Sequence, residues 1–111
     1  MIDIFELLKG NPGDSDYENK GVIVQGITGS YGSLHAKQMI SYGTNVVAGV
    51  TPGKGGQKFE DKVPVYNTMQ EAVDATNAKI SIIFVPAKFF LGATKDALNA
   101  GIKLLVAIPE H

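Results

Sequence analysis

Residues Gly21–Tyr42 read GVIVQGITGSYGSLHAKQMISY, and the succession of residue types within them decides the fold. Val22, Ile23 and Val24 form a short β-branched run that favours a buried strand. Gly26, Gly29 and Gly32 follow at even spacing, and no further Gly or Pro appears until Gly43. The stretch therefore reads as strand, glycine turn and helix. The first N–H groups of a helix lack intrahelical partners, and the positive end of its dipole lies beside them. An anion, most often a phosphate, is the ligand that such a corner accepts.

The spacing is G-x-x-G-x-x-G, not the G-x-G-x-x-G of the dinucleotide fingerprint. Glycines also occupy turns merely because they tolerate positive φ, so the triplet by itself carries little. Its place after a strand and before a helix is what points to a phosphate-bearing ligand.

At 111 residues, 44% hydrophobic and 19% charged, the chain suits one soluble domain with a modest core. A net charge of −1 gives no electrostatic reason to expect nucleic acid or an anionic membrane as partner. Cysteine is absent, which excludes disulfides and thiolate metal sites and fits a reducing compartment. No apolar run approaches the roughly 18–20 residues of a membrane span. Asp3 and Glu6 stand where a targeting peptide would be basic, so a cytoplasmic location is expected.

Outward from the central unit, residues 1–9 (MIDIFELLK) read as a short amphipathic helix that packs, or docks on a membrane surface or partner. GNPGDSDYENK is a linker, so 1–20 form a helix and linker and 21–111 the domain proper. Asn45–Val50 is the second strand, and TPGKGGQKFEDK a glycine-rich loop without regular structure. Val63–Tyr66 contains Pro64 and suits an edge strand. Thr68 with Glu71 three residues on forms a capping box for a helix carrying Met69, Ala72 and Val73. Ile80–Val85 is a central strand buried on both faces. Pro86 ends it, and Phe89, Phe90, Leu91, Ala97 and Leu98 lie along a third helix that stops at Gly101. Lys103–Ile108 is the last strand. Alternating strands and helices give an α/β fold, a Rossmann-like parallel sheet of about five strands in the order 3-2-1-4-5 with flanking helices.

In such a sheet the ligand lies beyond the carboxyl ends of the strands. Those ends carry Thr28-Gly29-Ser30, Thr51-Pro52-Gly53-Lys54, Pro86-Ala87-Lys88 and Pro109-Glu110-His111. An NAD site would set an acidic residue at the end of the second strand, about 20 residues past the glycines, for the ribose hydroxyls. Val50-Thr51-Pro52 occupies that place, and the nearest charge is the cation Lys54. A lysine there suits a ribose bearing its own phosphate, as in NADP or coenzyme A; the plain alternative is a solvated loop lysine. GVTPGKG is one residue short of a P-loop and lacks the Ser or Thr after its lysine. His35 is either a ligand-facing residue or a packed structural one. His111 has nothing after it with which to form a site, and no Ser-His-Asp set or carboxylate pair assembles.

GITGSYG, TPGKGG, VPVYNT, IIFVPA and AGIKLLVAIPE, in this order and at these separations, resemble the amino-terminal coenzyme A-binding domain of the succinyl-CoA synthetase α subunit. The likeness runs from about Gly21 to Glu110. It implies that Thr28, Gly29, Ser30 and Tyr31 hold the coenzyme's phosphates. It implies further that Lys54 contacts the coenzyme, that Ile108, Pro109 and Glu110 lie against it, and that Pro86 belongs to a nearby wall. Tyr31 departs from the family's usual Gln, and IPEH from its usual I-T-E-G.

The same resemblance implies a complete ligase of the tricarboxylic acid cycle, with a phosphorylated histidine in a second domain and a β subunit that binds nucleotide and Mg²⁺. Neither His35 nor His111 matches the phosphohistidine motif, so this polypeptide is expected to bind coenzyme A without ligating by itself. Ligases for malate or citrate, and ATP-citrate lyase, share the module. Two rivals stand beside it: an NADP-binding module of an oxidoreductase, and a stand-alone coenzyme A-binding regulator. A chain ending on a strand without its covering helix reads as a piece of a longer polypeptide.

Overall fold

A computed structural model describes residues 21–108. The helix and linker expected over residues 1–20 lie outside the described residues, as do Pro109, Glu110 and His111. The elements are β1 (Val22–Gln25), α1 (Ser30–Tyr42), β2 (Val46–Val50), β3 (Lys58–Phe59), β4 (Val63–Tyr66), α2 (Met69–Thr76) and β5 (Ile80–Ile83). A 3-10 turn (Ala87–Phe89) then runs into α3 (Phe90–Asn99), and β6 (Leu104–Ala107) completes the sheet.

The sheet order is β3-β4-β2-β1-β5-β6. From β4 to β6 every pair is parallel, which is the expected 3-2-1-4-5 arrangement. The sixth strand corrects the expectation of five. β3 lies antiparallel on β4, inside the segment read as an unstructured loop. Glu60 and Asp61 adopt φ of 52° and 59°, and Lys62 N–H closes on Phe59 O at 3.1 Å, giving the two-residue turn whose twist suits a hairpin. Phe59 is buried in the core, and its burial draws the segment onto the sheet margin. β4 is consequently one strand in from the edge. Pro64 is tolerated there because the exchange on the β3 side is made by Val65, which donates to Gln57 O at 2.9 Å and accepts from Gly56 N–H at 3.0 Å, while pairing with β2 begins only at Val65.

Alternation along the strands sends side chains to two cores. Val22, Val24, Val65 and Ile82 pack with Ala36 and Met39 of α1 on one face. Ile23, Ala48 and Val50 pack with Met69, Ala72 and Val73 of α2 and with Ala97 of α3 on the other. β1 and β5 are buried at every position, as expected of central strands covered on both faces. Removing one such side chain, Ile82→Ala for instance, costs about 2–5 kcal/mol at sites of this kind.

The helix ends follow local chemistry. Gly43 takes φ 103°, and Thr44 N–H reaches back to Met39 O at 2.9 Å, terminating α1. Gly101 at φ 97° ends α3 in the same way, with Ile102 N–H on Ala97 O at 3.1 Å. Thr68 caps α2 through Glu71 N–H at 3.1 Å. Ala97 is the buried residue of α3, whereas Phe89, Leu91 and Leu98 of this segment are more than half exposed. Their apolar sequence pattern thus describes an outer surface as well as a core face. Among the described residues no helix is long and apolar enough to cross a membrane.

A candidate anion site at the carboxyl edge of the sheet

The strand register lines up the ends that carry the chemistry. Tyr66, Val50, Gln25, Ile83 and Ala107 are successive partners in one row across β4, β2, β1, β5 and β6. The residues after that row open onto a single edge.

Immediately beyond β1, Gly26 takes φ 83°, and a Cβ there would run into the Phe84 carbonyl. Its N–H is bound to Val50 O at 2.8 Å, and its own carbonyl accepts from Gly29 N–H at 3.1 Å. A Cβ on Gly32 would strike that same Gly26 carbonyl, so bare backbone at both positions is what lets α1 approach β1. Gly29 differs. It is the N-cap of α1 with ordinary backbone (φ −69°, ψ 159°), and a Cβ there would meet nothing nearer than Gly26 O at 3.4 Å. The fold does not require glycine at this position; a ligand approaching the backbone would.

Ser30, Tyr31 and Gly32 are the first three residues of α1, whose N–H groups have no intrahelical acceptors. Gly29 has no side chain to cap them, and the first turn carries no acidic residue to occupy the positive end. The Tyr31 ring meets His35 edge-on at 4.4 Å and Phe84 at 5.8 Å, while His35 stacks on Phe84 at 5.1 Å. This aromatic cluster bears on two points left open by sequence: the half-buried His35 ring is packed on Phe84, and the Tyr31 ring is engaged with both.

One strand over, Thr51 ties the two loops together. Its Oγ1 lies 3.1 Å from Thr28 Oγ1 and 3.4 Å from Thr28 N. Lys54 follows on a loop built of two successive turns. Lys54 N–H donates to Thr51 O at 3.0 Å with Gly53 at φ 85°, and Gln57 N–H donates to Lys54 O at 3.4 Å with Gly56 at φ 92°. These are the positive-φ positions that type II turns demand of glycine. Lys54 is exposed, and its ammonium has no partner among the described residues. By contrast Lys37 pairs with Glu60 at 3.3 Å, and Lys88 lies over the Phe89 ring at 5.0 Å.

On the other side, Pro86 is exposed and precedes the 3-10 turn after β5. Ile108 is half-buried and donates its N–H to Ile83 O at 3.1 Å, which holds the end of β6 level with β5. Of the residues expected at the site, Thr28, Gly29, Ser30, Tyr31, Lys54, Pro86 and Ile108 all fall at this edge. Pro109 and Glu110 lie outside the described residues. Sequence reasoning overlooked Asn67, whose Oδ1 accepts from both Gly53 N–H (3.0 Å) and Gly55 N–H (2.9 Å). The available signal was an Asn directly after a strand and facing a loop of glycines, a residue type that binds backbone in turns.

Comparison with known proteins identifies the family of the domain. A family model described as a CoA binding domain matches residues 17–111. An ADP-forming succinate–CoA ligase subunit alpha 1 of Archaeoglobus fulgidus is 57% identical over 93 residues, covering 84% of this chain and 32% of that protein. The corresponding subunit of Aquifex aeolicus is 61% identical over 89 residues, 80% of this chain and 29% of that protein. The chain thus spans about a third of the length of the curated relatives it matches. Among solved structures, a Rex-family repressor superposes with TM-score 0.63 at 20% identity, covering 80% of this chain and 52% of that one. At that identity the likeness shows the fold alone.

Proposed function

The chain belongs to the CoA-binding domain family, and from that membership we propose that it holds coenzyme A for an acid–CoA ligase, as the amino-terminal part of a succinate–CoA ligase α subunit. The observation that carries the reading is the pairing of an uncapped helix start at Gly29–Gly32 with an unpartnered lysine one strand away. An NAD-type site would place a carboxylate on that second strand end, and here stands Thr51.

In this reading the backbone of Thr28, Gly29, Ser30 and Tyr31 receives the coenzyme's phosphates, and the Lys54 ammonium meets the phosphate on its ribose. Pro86, Ile108, Pro109 and Glu110 bound the other side. The domain's work is positioning: fixing the coenzyme so that its thiol meets an activated acid converts an encounter into an intramolecular step. Activation of succinate by ATP or GTP, the phosphohistidine that relays the phosphoryl group, and the β subunit all belong to the remainder of the ligase. His35, held in its aromatic stack, is not offered to that chemistry.

Thermal unfolding with coenzyme A, dephospho-coenzyme A and NADP in turn tests the proposal. A ligand at 100 times its dissociation constant adds about 2.7 kcal/mol of stability. Coenzyme A is expected to act strongly and the other two weakly. Equal stabilisation by dephospho-coenzyme A would remove Lys54 from its role, and a dominant effect of NADP would overturn the ligand assignment.

A further inference from the structure

We infer that Asn67 is a positioning residue for Lys54, holding the cation-bearing loop in the shape that meets the ribose phosphate; this rests on the reading of the edge as a coenzyme A site. A lysine on a glycine-rich loop should be a poor specificity element, because its four-carbon stem and its backbone both wander. The loop here is instead pinned around that one residue. Lys54 N–H and C=O close the two successive turns, and the N–H groups of both its neighbours converge on a single oxygen, Asn67 Oδ1, at 3.0 and 2.9 Å.

The fit between Asn67 and the loop is close. A Cβ on Gly55 would lie 2.6 Å from Asn67 Nδ2 and 2.7 Å from Cγ, although Gly55 has no positive φ that would itself call for glycine. Gly55 is therefore glycine to make room for the Asn67 amide. Asn67 follows β4, which pairs with β2 at Gly49–Val65 and Val50–Tyr66, so the staple is anchored to the same sheet that carries Thr51. Thr51 in turn touches Thr28 of the glycine turn. The two halves of the anion site are thereby held in one frame, with Asn67 at its outer end. Asn67 is exposed and outside both cores, so its two hydrogen bonds act on the loop and contribute little to the fold.

A double-mutant cycle tests the inference. Calorimetric titration of coenzyme A and dephospho-coenzyme A is made into the 111-residue chain and its Lys54→Ala, Asn67→Ala and doubly substituted forms. Each single substitution is expected to weaken coenzyme A binding roughly tenfold while leaving dephospho-coenzyme A binding within about twofold, and the double form should bind no worse than Lys54→Ala. Gly55→Ala, which keeps Asn67 but displaces its amide, is expected to repeat the Asn67→Ala result and keeps the test decisive if one variant folds poorly. An Asn67→Ala chain that still distinguishes the two ligands as the unsubstituted chain does, or a double form whose losses multiply, overturns the role of Asn67 alone. An unsubstituted chain that cannot distinguish the ligands overturns the coenzyme A reading of Lys54 and this inference with it.

Discussion

Three glycines of the central turn look alike in sequence and do different work. Gly26 and Gly32 are imposed by the chain itself, through positive φ and the nearby Phe84 carbonyl at the first and the close approach of the Gly26 carbonyl at the second. Gly29 meets neither constraint. Gly32→Ala should therefore destabilise the domain by about 1–3 kcal/mol, since the helix must shift away from β1 to admit a methyl group. Gly29→Ala should cost less, no more than about 1 kcal/mol of denaturant stability, because the poorer N-cap is partly offset by a more restricted unfolded chain. On the proposed reading its coenzyme A affinity should fall, because the new methyl group would stand in the path of the phosphate to the backbone. Parallel urea melts and ligand titrations of the two variants check this; a Gly29→Ala chain with full affinity would mean that no ligand comes close there.

At the scale of elements, the β3–β4 hairpin shows what a short strand can do without favourable turn residues. Glu60 and Asp61 hold left-handed backbone at φ 52° and 59°, a conformation in which Asn and Gly are far better tolerated. Replacing the pair with Asn-Gly should raise stability by up to about 1 kcal/mol, read as a higher urea midpoint at constant m-value. The accompanying loss of the Lys37–Glu60 ion pair should subtract little, since both side chains are about half exposed. A lower midpoint would show that the pair, not the turn, holds the hairpin. The hairpin was not legible in TPGKGGQKFEDK because two residues of strand give no periodicity. Burial of Phe59 beneath the sheet margin, a long-range fact, supplies the reason for it.

At the scale of the whole molecule, the two central strands and the helix over one sheet face are joined through a buried polar link. Gln25, at the end of β1 and 4% exposed, accepts from Ser81 Oγ of β5 at 2.8 Å and donates Nε2 to Ala93 O of α3 at 3.0 Å. Gln25→Ala removes the side-chain donor from the Ala93 carbonyl, leaves Ser81 Oγ with only the Ile23 carbonyl at 3.1 Å, and opens a cavity, and should cost about 2–4 kcal/mol. For a domain of this size that lowers the melting temperature by about 8 °C or more, on the order of 4–8 °C per kcal/mol. Differential scanning calorimetry measures it directly. A change of only a degree or two would mean that the link is replaced by water.

The sequence by itself determined the order of the five parallel strands, the two-faced core, the glycine-turn corner and the place of Thr28, Gly29, Ser30, Tyr31 and Lys54 at one edge. Each of these rests on cues carried within a few consecutive residues: β-branched runs, glycine after a strand, Thr68 before its helix, and the handedness that restricts parallel connections. The tertiary structure alone decided that β3 joins the sheet, that His35 stacks on Phe84, and that Asn67 grips the backbone on both sides of Lys54. It also assigned Phe89, Leu91 and Leu98 to the surface. These depend on which residues meet across a turn, a sheet or a helix face, and contacts of that kind are set by packing in three dimensions, which no local pattern of residue types encodes.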